Sequence, residues 1–232
     1  MSDIHEVKIK PIAHIKNGFT DKFGIPRQSG MANTVESRIV FCPEYRDENA
    51  IRGIEQYSHL WLIWGFSENE GKWSPTVRPP RLGGNTRVGV FATRSPFRPN
   101  SMGLSCVKLQ RIENTDEGKV LIVTGADIKN DTPIYDIKPY LPYVDIVENA
   151  VGGFSDDHKN DLVQVVFSEN SSVIDPDLKF QLKEILSYDP RPSYQSDEDR
   201  VYGLDFNGYR VKFTCDGDII TVLEVTNDIC KA

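Results

Sequence analysis

The stretch Leu104-Ser105-Cys106-Val107-Lys108-Leu109-Gln110-Arg111-Ile112, followed after a turn by Lys119-Val120-Leu121-Ile122-Val123-Thr124, decides the fold class. Both segments are short and rich in aliphatic residues. Asn, Asp and Gly bound them, which is how strands are punctuated. Working outward, Val7–Ile15, Arg38–Cys42, His59–Phe66 and Arg87–Ala92 read the same way. One helix is expected at Asp47–Ile54, where Asp47 can cap the first turn and Gly53 sits near the end. Strands do not alternate with long helices, so a doubly wound sheet is disfavoured and a barrel or sandwich is expected.

The pattern changes at Val147–Asn160, where Gly152-Gly153 and the polar run from Ser155 to Asn160 read as a linker. A strand (Leu162–Phe167) and a helix opening at Asp175-Pro176 follow, Pro being suited to a first helical turn. Phe180, Leu182, Ile185 and Leu186 form an apolar stripe, and Asp189-Pro190 ends the helix. Gly208–Thr214 and Ile219–Val225 flank Asp216-Gly217, a hairpin signal. The expected fold is therefore mainly β: a β-barrel over residues 1–150, then a small α+β domain over 156–232.

The 232 residues carry a net charge of −7, unevenly spread. Residues 72–111 hold eight Lys or Arg, six of them Arg, and no acid, whereas residues 145–232 hold 18 acids and 8 bases. Arg dominates where carboxylate or phosphate is gripped bidentately, so an anion site is expected in the basic stretch. The runs Leu60–Phe66 and Val120–Val123 are too short to span a bilayer. The opening residues lack a secretory pattern, and Cys42, Cys106, Cys215 and Cys230 form no C-x-x-C pair. A reduced, cytoplasmic protein without a metal site is expected. No P-loop, no G-x-G-x-x-G after a strand and no G-x-S-x-G elbow is present.

Two proline-stiffened stretches are distinctive. One runs from Arg78-Pro79-Pro80-Arg81 through Gly89-Val90-Phe91-Ala92-Thr93-Arg94-Ser95-Pro96-Phe97-Arg98-Pro99-Asn100-Ser101-Met102-Gly103-Leu104. The other is Asp131-Thr132-Pro133-Ile134-Tyr135-Asp136-Ile137-Lys138-Pro139-Tyr140-Leu141-Pro142-Tyr143, read as a rigid loop. Together with Lys22-Phe23-Gly24-Ile25-Pro26-Arg27-Gln28, Ser58-His59-Leu60-Trp61 and Asp189-Pro190-Arg191-Pro192-Ser193-Tyr194, they resemble the TrmO (TsaA-like) family over nearly the whole chain. That resemblance implies a β-barrel, homodimeric methyltransferase. It would use S-adenosylmethionine to methylate N6 of threonylcarbamoyladenosine beside the anticodon of threonine tRNA. The cofactor would lie near the subunit interface. The family often has Gly before Thr-Pro, where this chain has Asp131.

Carried over by motif, the cofactor contacts fall at Ser29, Gly30 and Met31, at Phe66, Ser67 and Glu68, at Arg94 and Leu104, and at Thr124, Gly125, Ala126 and Asp127. Arg94 suits the cofactor's carboxylate, Leu104 and Met31 its apolar faces, and Asp127 its hydroxyl or amino hydrogens. Asp136 and Tyr140 are the candidates for base or orienting group. Arg78, Arg81, Arg98 and Lys138 are candidates for the tRNA substrate. The plainer readings are an Asp136–Lys138 ion pair, core roles for Tyr140, Tyr143 and Trp61, and a structural His59. The alternative functions are a non-catalytic RNA-binding barrel and an S-adenosylmethionine-sensing dimer.

Overall fold

The structure is a computed structural model that describes residues 6–69, 71–158, 162–171, 174–191 and 197–227, without the side chains of Arg81, His158 and Asn170. Lys159, Asn160, Cys230 and the Pro192-Ser193-Tyr194 part of the C-terminal motif lie outside the described residues. The first strands are β1 (Ala13–Lys16), β2 (Glu36–Phe41), β3 (His59–Gly65) and the two-residue β4 (Thr76–Val77) and β5 (Val88–Gly89). Then come β6 (Met102–Thr115), β7 (Gly118–Thr124), β8 (Pro133–Pro139) and the short helix α1 (Pro142–Asp145). The last part holds β9 (Gln164–Phe167), α2 (Pro176–Ser187), β10 (Tyr202–Phe206), β11 (Tyr209–Asp216) and β12 (Ile219–Asn227).

Six antiparallel strands pair in the order β1-β2-β7-β6-β3-β8, and β8 pairs back onto β1 through Ala13↔Ile134 and His14↔Pro133, closing a barrel. Alternation sets its inside. Along β3, Leu60, Leu62 and Trp64 are buried while His59, Trp61 and Ile63 are only partly so. Leu60 and Leu62 meet Ile15, Ile39, Leu121 and Ile134 in the core. Trp61 was expected there. The inward slots of β3 already belong to its neighbours, so Trp61 faces outward and donates from Nε1 to Asp145 at 3.1 Å.

Several elements differ from the sequence reading. The strand expected at Val7–Ile15 is confined to Ala13–Lys16. Asp47 does accept from the Asn49 amide, but what it caps is a 3-10 turn, Glu48–Ile51. Gly53, at φ 87°, then interrupts the chain before a second such turn, Ile54–Gln56. Arg87–Ala92 holds only β5 and a 3-10 turn, Val90–Ala92. The stretch read as a rigid loop is strand β8, with Pro133 and Pro139 as its first and last residues, where a missing N–H is tolerated. Asp131, just before it, has φ 64°, a left-handed conformation that Gly adopts freely and Asp tolerates.

The second sheet runs β10-β11-β12-β9, with β9 parallel to β12. The Asp175 side chain accepts from the amides of Asp177 and Leu178 to cap α2. Leu178, Leu182, Ile185 and Leu186 form its buried stripe. Phe180 falls on the opposite face and is exposed. β10 was not anticipated, although Tyr202, Leu204 and Phe206 alternate as a half-buried strand should. The core beneath this sheet also contains Phe19, Ala32 and Val35, from the segment joining β1 to β2. That segment leaves the barrel, enters the second core and returns.

Candidate cofactor pocket

A cavity of about 810 Å³ opens where the ends of β3 and β6 meet the segment around Arg27 and the loops after β3, before β6 and after β7. This volume suits a small-molecule ligand. The apolar wall follows from register. Ile63 faces Leu104, Trp64 faces Gly103 and Gly65 faces Met102 across β3 and β6. Gly103 leaves room for the Trp64 ring, because a Cβ there would lie 2.3 Å from the indole. The ring packs on Phe66 at 4.3 Å between centroids, and Trp64 Nε1 donates to Ser105 Oγ at 2.9 Å.

Ser105 in turn donates to the Asp127 carboxylate, so the ring holds the serine and the serine holds the acid. Burial pushes the Asp127 carboxyl above its ordinary value. The Ser105 hydroxyl, the amides of Asp127 and Ser29 and the nearby Arg94 charge offset this only in part. Arg98, also a lining residue, donates to the carbonyls of Val90 (3.2 Å) and Thr93 (2.7 Å) and lies over the Phe91 ring. It fastens the loop from within. That leaves Arg94 presented at the loop's edge, where its Nη1 donates to Gln28 Oε1 at 2.6 Å. Glu68 is held by hydrogen bonds from Lys129 and Lys22, which bring its carboxyl down to about 2. Lys22 Nζ lies 2.7 Å from Oε2 and Lys129 engages Oε1, so both oxygens are occupied in bridging two loops.

Of the cofactor residues expected from sequence, Phe66, Ser67, Glu68, Arg94, Leu104 and Asp127 line this cavity. Ser29, Gly30, Met31, Thr124, Gly125 and Ala126 do not. Most of these form the layer behind it. Gly30 donates to the Gly125 carbonyl at 2.8 Å, and Gly125 donates to that of Ala32 at 3.2 Å. Ser29 Oγ accepts from the Cys106 amide, Thr124 Oγ1 accepts from Gln110, and Ala126 is in the barrel core. Met31 is half-buried. Among the residues that sequence reasoning passed over, Gln28 and Trp64 line the pocket and Ser105 lies buried behind it. Gln28 stood inside a quoted motif, and only the fold reveals Ser105 as a link between Trp64 and Asp127.

The remaining candidates spread outward. Arg98 lines the cavity, Arg78 is exposed, and the Arg81 side chain is outside the described residues. Asp136, Lys138 and Tyr140 do not line the cavity. Asp136 sits opposite Ile63, itself a lining residue, so it is one strand away. Its Oδ2 is 3.0 Å from Lys138 Nζ, and its Oδ1 accepts from the Ile137 amide. Tyr140 packs against Trp61 and His59 at 5.7 and 6.1 Å between ring centroids.

A closed antiparallel barrel with a terminal pocket pairing a guanidinium with a sunken carboxylate defines a small-molecule-binding β protein outside the Rossmann class. Residues 14–146 match the family model of the tRNA-methyltransferase O N-terminal domain, and residues 160–228 match that of the TrmO C-terminal domain. The chain belongs to the TrmO family. It is 34% identical over 216 residues to the tRNA (adenine(37)-N6)-methyltransferase of Escherichia coli K12, covering 89% of this chain and 92% of that one. It is 44% identical over 160 residues to the enzyme of the same name from Eikenella corrodens, covering 68% and 90%. The crystal structure of TrmO from Pseudomonas aeruginosa superimposes with a TM-score of 0.75 at 29% identity, covering 96% of this chain and 100% of that one.

Proposed function

We propose that this chain transfers a methyl group from S-adenosylmethionine to N6 of threonylcarbamoyladenosine next to the anticodon of threonine tRNA. The observation that carries the reading is the pocket in which Arg94 and Asp127 face an apolar wall of Leu104, Ile63 and Phe66. This donor set fits the cofactor: a guanidinium for its carboxylate, a carboxylate for its amino or hydroxyl hydrogens, and apolar surface for its base. Bound there, the cofactor supplies an activated methyl group. Residues 1–150, with the barrel, form the cofactor-binding catalytic unit, and residues 156–232 form an α+β unit whose core also takes in Phe19, Ala32 and Val35.

The chain's own contribution is mainly alignment, which is worth effective molarities of roughly 10⁵–10⁸ M in well-oriented reactions. Arg94 and Asp127 fix the cofactor, with Ser67 beside them at the mouth. Ser29, Gly30, Met31 and residues 124–126 shape the wall from behind. Glu68 acts by tying Lys22 to Lys129. Asp136 accepts the proton that N6 must lose, and Tyr140 orients the base. Of the basic candidates for the tRNA, Arg78 and Lys138 are the exposed ones that meet it, Arg81 belongs to the same basic stretch, and Arg98 serves by holding the loop that carries Arg94.

The outer position of Asp136 fits a homodimer in which the cofactor lies near the interface. Tyr143 (82% exposed), Val144, Ile146 and Val147 follow β8 as exposed apolar residues interrupted only by Asp145, a surface that a second copy would cover. A cytoplasmic location follows from the tRNA substrate; no helix among the described residues is long and apolar enough to cross a membrane.

The test is methyl transfer from labelled S-adenosylmethionine to tRNA with or without the threonylcarbamoyl group, with nucleoside mass analysis. Methyl found on N6 of the modified nucleoside alone is the expected result. Methyl on another atom, or none, overturns the reading.

A further inference from the structure

The segment joining β1 to β2 serves two neighbours at once. Phe19, Ala32 and Val35 are buried in the second core, while Arg27 and Gln28 at its tip wall the cavity. The α+β unit fastens it on both limbs. On the outgoing limb, Asn207 donates its amide to the Gly18 carbonyl at 2.9 Å. Gly24, at φ 93°, lies so close to Leu204 that a Cβ would stand 2.0 Å from its side chain. At the tip, Arg27 Nη2 donates to the carbonyls of Asp189 (2.9 Å) and Arg191 (2.7 Å) in the turn after α2. On the return limb, Glu184 of α2 accepts the amides of Asn33 (3.0 Å) and Thr34 (2.9 Å), together with the Thr34 hydroxyl.

We infer that the α+β unit is a clamp that sets the wall of the cofactor pocket, with Glu184 as its positioning residue. The inference rests on the reading that this cavity holds S-adenosylmethionine. Glu184 does not line the cavity, so any effect it has on the cofactor must pass through the segment. The line of transmission is short: Thr34 and Asn33 are followed back to Gly30, which donates to Gly125, and to Gln28, which accepts from Arg94. If only a fraction of molecules holds this arrangement, the apparent dissociation constant rises in inverse proportion to that fraction. Turnover at saturating cofactor is spared, because the bound state selects the same arrangement.

The variant to make is Glu184→Ala in the full chain. Three acceptor contacts to one carboxylate are lost, so amide exchange across residues 27–34 should accelerate about tenfold or more. The dissociation constant for S-adenosylmethionine, read by calorimetry, should rise about tenfold, and turnover at saturating cofactor should stay within about twofold. Glu184→Gln keeps one carbonyl acceptor and should fall between; it is also the variant to read if the alanine form does not fold. A lower melting temperature with unchanged exchange across 27–34 overturns the inference. Faster exchange with an unchanged dissociation constant overturns it as well. Arg94→Ala separates the two levels. If Arg94→Ala leaves cofactor affinity unmoved, the pocket reading fails. If Arg94→Ala moves it and Glu184→Ala does not, the clamp alone fails.

Discussion

Asp127 illustrates what a binding residue costs the fold. Its carboxyl is pushed above the ordinary range, chiefly by burial. Between the unfolded value of about 3.9 and the higher folded value, the native chain binds more protons than the unfolded one. Asp127's contribution to stability is therefore greatest below the unfolded value and declines as pH rises through the folded one. Asp127→Asn removes the buried charge while keeping an oxygen for the Ser105 hydroxyl. It should melt at a higher temperature than the parent at neutral pH, with the gain fading as pH falls through the raised folded value and gone by about 3.9. Cofactor affinity should drop in the same variant, the usual exchange of stability for function. Thermal melts across pH, paired with calorimetry, check both halves. A lower melting temperature at pH 7 would mean that the hydrogen bonds to the charged form outweigh burial.

At the scale of elements, the pocket depends on β3 and β6 staying in register with a glycine opposite an indole. Gly103→Ala places a methyl group 2.3 Å from the Trp64 ring, against rigid aromatic carbon. Overpacking of this kind costs about 1–3 kcal/mol, a fall in melting temperature of roughly 2–10 °C. Trp64 should also leave Ser105, shifting its fluorescence, and Asp127 would lose its orienting hydroxyl. A melt and emission spectrum matching the parent would show that the strands separate at little cost. The strands around this contact were legible in the sequence because their alternation and their Gly, Asn and Asp boundaries are local signals. β8 was not. Pro133 and Pro139 read as loop chemistry, and only pairing with β1 and β3 shows that they occupy strand ends. The helix expected at Asp47–Ile54 failed for a similar reason: the cap is real, but Gly53 cuts the run too short for an α-helix. The pocket was half legible. Arg94 and Leu104 stood in quoted motifs and Phe66 and Asp127 followed from the family resemblance, whereas the Trp64–Ser105–Asp127 relay exists only once two strands are paired.

For the whole molecule, charge segregation becomes spatial separation. The excess of acids after residue 145 falls largely on the α+β unit, and the acid-free stretch 72–111 supplies one wall of the pocket, between Thr93 and Leu104. A protein of net charge −7 can therefore still meet tRNA through one basic surface, since fields from more distant acids are screened within about 8–10 Å at physiological salt. The stretch does not contribute evenly. Arg98 is engaged by the carbonyls of Val90 and Thr93, and Arg111 is bound to Glu36 and Glu113. Arg78 is exposed on the segment after β4 and is the proposed phosphate contact. Affinity for tRNA should thus fall as salt rises, by release of counterions. Arg78→Ala should weaken binding alike for modified and unmodified tRNA and lower the slope of log affinity against log salt by about 1. S-adenosylmethionine affinity should not change in this variant, because Arg78 does not line the pocket. Filter binding at several salt concentrations gives the slope directly. An unchanged slope would move the tRNA contact elsewhere on the basic stretch, and a salt-independent affinity would remove the basic stretch from tRNA binding altogether.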